Sequence, residues 1–148
     1  MAQLPVTKFS HIVVRVSDIE QSKAWYTENF GFEVVFDVNL AGAEYEQIAS
    51  APPGATARNI GGRIGDKVVE LSWKSTPPAT TRDDAAIGIS AFTVQVTSAD
   101  EAHGVALANG VDVISPPVDI MGWRNFFVRD PDGIRIEIAQ PPEDGGGM

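Results

Sequence analysis

Two stretches decide the fold: Arg58-Asn59-Ile60 with Arg63, leading into Val68-Val69-Glu70-Leu71, and Arg124-Asn125-Phe126 with Arg129, leading into Arg135-Ile136-Glu137-Ile138. They lie on each other in register, so the chain reads as two copies of one module. Upstream of the first, Ser10-His-Ile-Val-Val-Arg-Val16 alternates, with Ile12, Val14 and Val16 on one face and His11, Val13 and Arg15 on the other, which predicts a half-buried strand. Ser17 or Asp18 then caps a helix that carries Ile19, Ser22, Ala24, Trp25 and Phe30 and closes at Gly31. Strands are expected at 32–38, 44–49, 57–64 and 67–73. After a Thr-, Pro- and Asp-rich linker over 75–85 the order begins again. A strand spans 89–96 with Phe92, Val94 and Val96 on one face, a helix runs from Ser98 to Gly110, and strands follow at 111–115, 123–129 and 134–139. Asp130-Pro131-Asp132-Gly133 is the turn between the last two. The expected architecture is α+β, a single domain over 1–148 built of βαβββ modules at 8–74 and 86–140, whose curved mixed sheets form a cup. The tail 141–148 has nothing to pack and frays.

Composition narrows the function classes. The chain has 148 residues, 43% of them apolar, which is enough for a core without disulfides or structural metal. It has no cysteine, so zinc fingers, iron–sulfur clusters and thiol nucleophiles are excluded. A net charge of −9, from 11 Lys+Arg against 20 Asp+Glu, argues against nucleic acid and anionic membranes as partners, since phosphates demand a basic face. No segment approaches the roughly 20 apolar residues of a membrane helix, and the N-terminus lacks a signal-peptide pattern, so the expected location is cytoplasmic.

The repeat register also places the chemistry. Ile12/Val14/Val16 fall on Phe92/Val94/Val96, which puts Ala91 opposite His11, and Glu70 falls on Glu137. By strand period, His11 shares a face with Val13 and Arg15, Glu70 with Val68 and Ser72, and Glu137 with Arg135 and Ala139. If both sheets curve alike, one imidazole and two carboxylates converge. The same charges also read as ion pairs in a metal-free cavity. Trp25, Tyr26 and Phe30 read as core, His103 and Asp83-Asp84 as solvated surface, and Gly61-Gly62 lacks the strand-to-helix context of a phosphate loop.

The run from His11 to Ile19 with Trp25-Tyr26 and Gly31-Phe32, the mid-chain Val69-Glu70-Leu71 strand, and the closing Asp130-Pro-Asp-Gly-Ile-Arg-Ile-Glu137 resemble the vicinal-oxygen-chelate superfamily. That superfamily includes glyoxalase I, methylmalonyl-CoA epimerase, extradiol dioxygenases, and fosfomycin- and bleomycin-resistance proteins. The pattern is nearest to the glyoxalase and epimerase subgroups. The resemblance implies one metal ligand from the first strand and one from the last strand of each module. Carried over by position, these are His11, Glu70 and Glu137; Ala91 departs, since it cannot bind a metal. The implied cofactor is a divalent ion (Mn, Fe, Co, Ni or Zn). The implied activity is that of an isomerase or lyase acting on a small carbonyl compound through an enolate-like intermediate, with Glu137, Glu44 or Glu46 as base. Arg15, Arg135, Trp123 and Met121 are the candidate substrate-binding residues, the last two as an apolar lid after Pro116-Pro117. With only His11 and His103 in the chain, a two-histidine extradiol iron site is disfavoured, and an extradiol-type dioxygenase rebuilt around fewer histidines is the third reading. The rival reading is a metal-free binding protein of the bleomycin-resistance kind, which Ala91 favours. The resemblance also implies a homodimer, with the cup closed within one chain or exchanged between two.

Overall fold

The alternation around Ile12 and Val14 becomes β1 (His11–Arg15) in the computed structural model, which describes residues 2–78 and 87–144. The chain divides into two units, Met1–Pro78 and Ala79–Met148. In the first, β1 leads to α1 (Ile19–Phe30), whose free N-terminal amides are met by Asp18, its side chain accepting from Gln21 N–H at 3.0 Å. Gly31 ends the helix in the left-handed region at φ +65°, open to glycine at no steric cost. Then follow β2 (Glu33–Leu40), α2 (Ala43–Ala49), β3 (Ala57–Ile64) and β4 (Lys67–Lys74). The sheet order is β1-β4-β3-β2, with β1 parallel to β4 and the other pairs antiparallel. Val14, Ile60, Val69 and Leu71 are buried in this unit together with Phe32 and, from α1, Ile19 and Tyr26. Each such side chain contributes about 1.5–3 kcal/mol of burial.

The second unit repeats the plan with β5 (Phe92–Gln95), α3 (Ala99–Ala108), β6 (Asp112–Val113), β7 (Val118–Ile120), β8 (Trp123–Arg129) and β9 (Arg135–Gln140). Its order is β5-β9-β8-β6, with β5 parallel to β9 and β7 paired to β8. Phe126, Val128, Ile136 and Ile138 form its core with Ala99 of α3, which is capped by Ser98. The expected register holds in the pairing: Ile60 opposes Leu71 as Phe126 opposes Ile138. Val16 N–H donates to Ser72 O as Val96 N–H donates to Ala139 O.

The two arginines of the repeat do the same task twice. Arg58 donates to Asp37 of β2 and Glu20 of α1, each at 2.7 Å at closest, and Arg124 donates to Asp119 of β7 at 3.1 Å and Asp100 of α3 at 2.9 Å. Glu20 and Asp100 are each the second residue of their helix, so each guanidinium ties a helix start to its sheet. Hydrogen bonding from Arg58 holds the Asp37 carboxyl below the usual carboxylate range, and in return Asp37 and then Glu20 push Arg58 upward. Asp100 and then Asp119 do the same for Arg124.

Four sequence expectations change. Residues 44–49 are helical, because the run Ala43-Glu-Tyr-Glu-Gln-Ile-Ala49 is rich in good helix formers and Ser50 closes it in the left-handed region. Residues two apart on a helix lie about 200° apart, so Glu44 and Glu46 do not share a face as they would on a strand. The segment after Pro117 is not loose: β7 and β8 form a hairpin whose turn residues Met121 and Gly122 both have positive φ, the geometry that matches strand twist. His103 is half-buried, edge-on to the Phe126 ring at 5.2 Å between centroids, rather than solvated surface. On α1 it is Tyr26 that is fully buried, with Trp25 and Phe30 half-buried against it. Asp83-Asp84, most of the expected linker and the last four residues of the tail lie outside the described residues.

Candidate functional site

Parallel pairing of β1 with β4 sets Val13 opposite Glu70 and His11 opposite Val68. His11 therefore reaches Glu70 diagonally, and its Nε2 lies 2.8 Å from Glu70 Oε2. The other carboxylate oxygen, Oε1, accepts from Asn59 Nδ2 at 2.7 Å, a residue of β3 on the same sheet face. An ionised glutamate can only accept, so the imidazole carries a proton on Nε2, and its Nδ1 is hydrogen-bonded with Ser10 Oγ at 2.8 Å. Glu70 is mostly shielded, at 12% side-chain exposure, whereas His11 is 36% exposed. The pair is thus approached from the imidazole side. Gly61 stands opposite Glu70, and the Phe36 ring packs over it in the space a side chain would take. An aromatic wall beside the carboxylate follows from that glycine.

In the second unit Thr93 opposes Glu137 as Val13 opposes Glu70, which puts Ala91 in the place of His11. Glu137 Oε1 accepts from Asn125 Nδ2 at 2.9 Å, and its Oε2 accepts from Thr93 Oγ1 at 2.9 Å. Phe127 opposes Glu137 where Gly61 opposes Glu70, so here the aromatic wall is supplied directly by β8. Arg135 lies with its guanidinium carbon 4.7 Å from the centre of that ring. Val118 opposes Asn125 and Ile120 opposes Trp123, extending the face with apolar side chains.

The structure thus brings His11 and Glu70 together and places Glu137 in a matching environment in the other unit. Within each unit, among the described residues, no three His, Asp or Glu side chains gather as a metal site. Glu46 of α2 accepts from Gly54 N–H at 2.6 Å and Glu44 is exposed on the first turn of that helix. Arg15 donates to Thr76 O at 2.7 Å, tying the end of β1 to the segment after β4. Met121 is 94% exposed at the hairpin turn, and Trp123 is half-buried on β8. Four contacting residues escaped the sequence reading: Ser10, Asn59, Thr93 and Asn125. The two asparagines had a signal, since both stand in the repeated Arg-Asn pair, each on the strand antiparallel to its glutamate.

Comparison with known proteins agrees with this reading of the fold. Residues 8–138 match the family described as Glyoxalase/Bleomycin resistance protein/Dioxygenase superfamily. A putative lactoylglutathione lyase of Brassica oleracea var. gemmifera is 25% identical over 135 residues, covering 90% of this chain but 44% of that protein, so the chain spans less than half the length of that relative. Among solved structures, a glyoxalase family protein from Bacillus cereus superposes with a TM-score of 0.82 at 19% identity, covering 96% of this chain and 99% of that one. The genomically encoded fosfomycin resistance protein FosX from Listeria monocytogenes superposes with a TM-score of 0.65 at 15% identity, covering 94% and 97%. At these identities the structural likenesses speak for the fold alone. With a family match spanning both modules and a fold shared along nearly the whole chain, the protein belongs to the Glyoxalase/Bleomycin resistance protein/Dioxygenase superfamily.

Proposed function

We propose that the protein is a metal-dependent isomerase or lyase that acts on a small carbonyl compound through an enolate-like intermediate. The observation that carries this reading is the His11–Glu70 pair. Its Nε2 and Oε2 atoms are 2.8 Å apart, so an imidazole and a carboxylate would both be at hand for one ion. The imidazole and carboxylate suit a divalent cation, and by the repeat register Glu137 is the second unit's counterpart of Glu70 as a proposed metal ligand. When bound, the ion supplies polarisation of the substrate carbonyl and stabilises the charge of the enolate.

The chain's own residues supply the rest. His11 would hold the ion through Nε2, and Ser10 Oγ, which can accept as readily as donate, would then orient the ring through Nδ1. Asn59 steadies the Glu70 carboxylate. Glu137 is the carboxylate proposed to take the proton α to the carbonyl, and the apolar Phe127 that opposes it limits competing water. The test is the metal content of the purified protein and of His11→Ala, alongside proton–deuterium exchange of methylglyoxal hemithioacetal in D2O. The reading expects a stoichiometric divalent metal that is lost in the variant, together with exchange that requires the metal. A metal-free protein with no exchange defeats it. One observation favours a second reading, a metal-free binding protein: Ala91 removes the ligand position that His11 occupies in the first unit.

A further inference from the structure

Each glutamate of the candidate site is gripped in the same way. In the first unit Oε1 accepts from Asn59 and Oε2 faces His11 of the first strand; in the second, Oε1 accepts from Asn125 and Oε2 faces Thr93 of the first strand. The grip has a cost, and the cost recurs. Asn59 Oδ1 and Asn125 Oδ1 are both buried with no hydrogen-bond partner, and they are two of three such side-chain atoms among the described residues. A buried carbonyl left unpaired is destabilising, and a branched apolar side chain of similar size would avoid it. An aspartate would set a second negative charge against the first. Only the amide offers an N–H to the carboxylate from that position, and its idle carbonyl is the consequence. Phe36 over Gly61 and Phe127 beside Glu137 line the apolar side of each grip, where a hydrogen bond is stronger than in water.

We propose that Asn59 and Asn125 are positioning residues, each pinning one oxygen of its glutamate so that the other is presented toward the first strand of its module. The proposal rests on the metal-site reading for its functional meaning, but its geometry stands without metal. Two measurements separate them. Crystal structures of metal-free Asn59→Leu and Asn125→Leu should show the carboxylates turned away, with Glu70 more than hydrogen-bonding distance from His11 Nε2 and Glu137 from Thr93 Oγ1. Calorimetric titration with Ni2+ should show affinity weakened by about ten- to a hundredfold in each variant, the range typical of lost outer-shell partners. Asn59→Gln, which keeps the donor, should recover part of that affinity and keeps the test open if a leucine variant folds poorly. Carboxylates that hold their native positions in the leucine variants overturn the positioning role. If the wild-type protein binds no Ni2+ while the carboxylates still turn in the variants, the metal reading falls and the positioning role stands.

Discussion

Gly61 and Gly62 stand side by side on β3, yet an alanine at each should behave differently, and the difference is set by what lies above them. A Cβ on Gly62 would meet three ring atoms of Phe32 at under 3.0 Å, and a Cβ on Gly61 would meet three ring atoms of Phe36 equally closely. Phe32 is 3% exposed and packed in the core of the first unit, so its ring has no vacant space to enter. Overpacking of a core costs about 1–3 kcal/mol, and three simultaneous overlaps put Gly62→Ala near the upper end. The lower chain entropy of alanine relative to glycine returns about 0.5–1 kcal/mol, which leaves a net loss of roughly 2 kcal/mol. At about 2–4 °C per kcal/mol for a chain of this size, the melting midpoint should fall by roughly 4–8 °C. Phe36 is only half-buried and can swing toward solvent, so Gly61→Ala should cost under about 1 kcal/mol. Because Gly61 opposes Glu70, however, it should disturb the wall beside the carboxylate. Differential scanning calorimetry of both variants, with Phe32→Leu added to Gly62→Ala as a rescue, checks the reasoning. A Gly62→Ala protein that melts like the wild type, or a Gly61→Ala protein that is the less stable of the two, refutes it.

Two other outcomes follow from the repeat. Ala91→His should place an imidazole where the register sets it diagonal to Glu137, as His11 is to Glu70, and Ni2+ affinity by calorimetry should rise at least roughly tenfold; unchanged affinity would show that the second half cannot take a ligand there. The Asp37 carboxyl is held below its ordinary value by Arg58. The stability this contributes is therefore present above the unfolded carboxylate value near about 4 and is lost as pH falls through the lowered folded value. Arg58→Ala should flatten the fall in melting temperature over that acid window, and identical acid profiles for variant and wild type would contradict the assignment.

Much of the site could be read in the linear chain because strand period and repeat register are local properties. The overlay that set Glu70 on Glu137 and Ala91 opposite His11 is matched by equivalent pairings in the two units, Val13 with Glu70 and Thr93 with Glu137. The 44–49 run misled because a short stretch supports either period, and its helix depends on good helix formers and on closure by Ser50. The hairpin that carries Met121 and Trp123 was not legible because its turn at Met121 and Gly122 takes positive φ at both residues, which for methionine is not a habit a sequence displays.

The sequence by itself determined the duplication, the α+β class and the glutamate that each module carries on its last strand, since these rest on spacing along one chain. Only the tertiary structure decided what holds those glutamates. That Asn59 and Asn125 donate to them, that Thr93 takes up the oxygen which His11 meets in the first unit, and that a glycine makes room for Phe36 all depend on which strands pair and in what register. A hydrogen bond between residues eleven or forty-four positions apart has no local signature, because its geometry is set by neighbouring strands rather than by neighbouring residues.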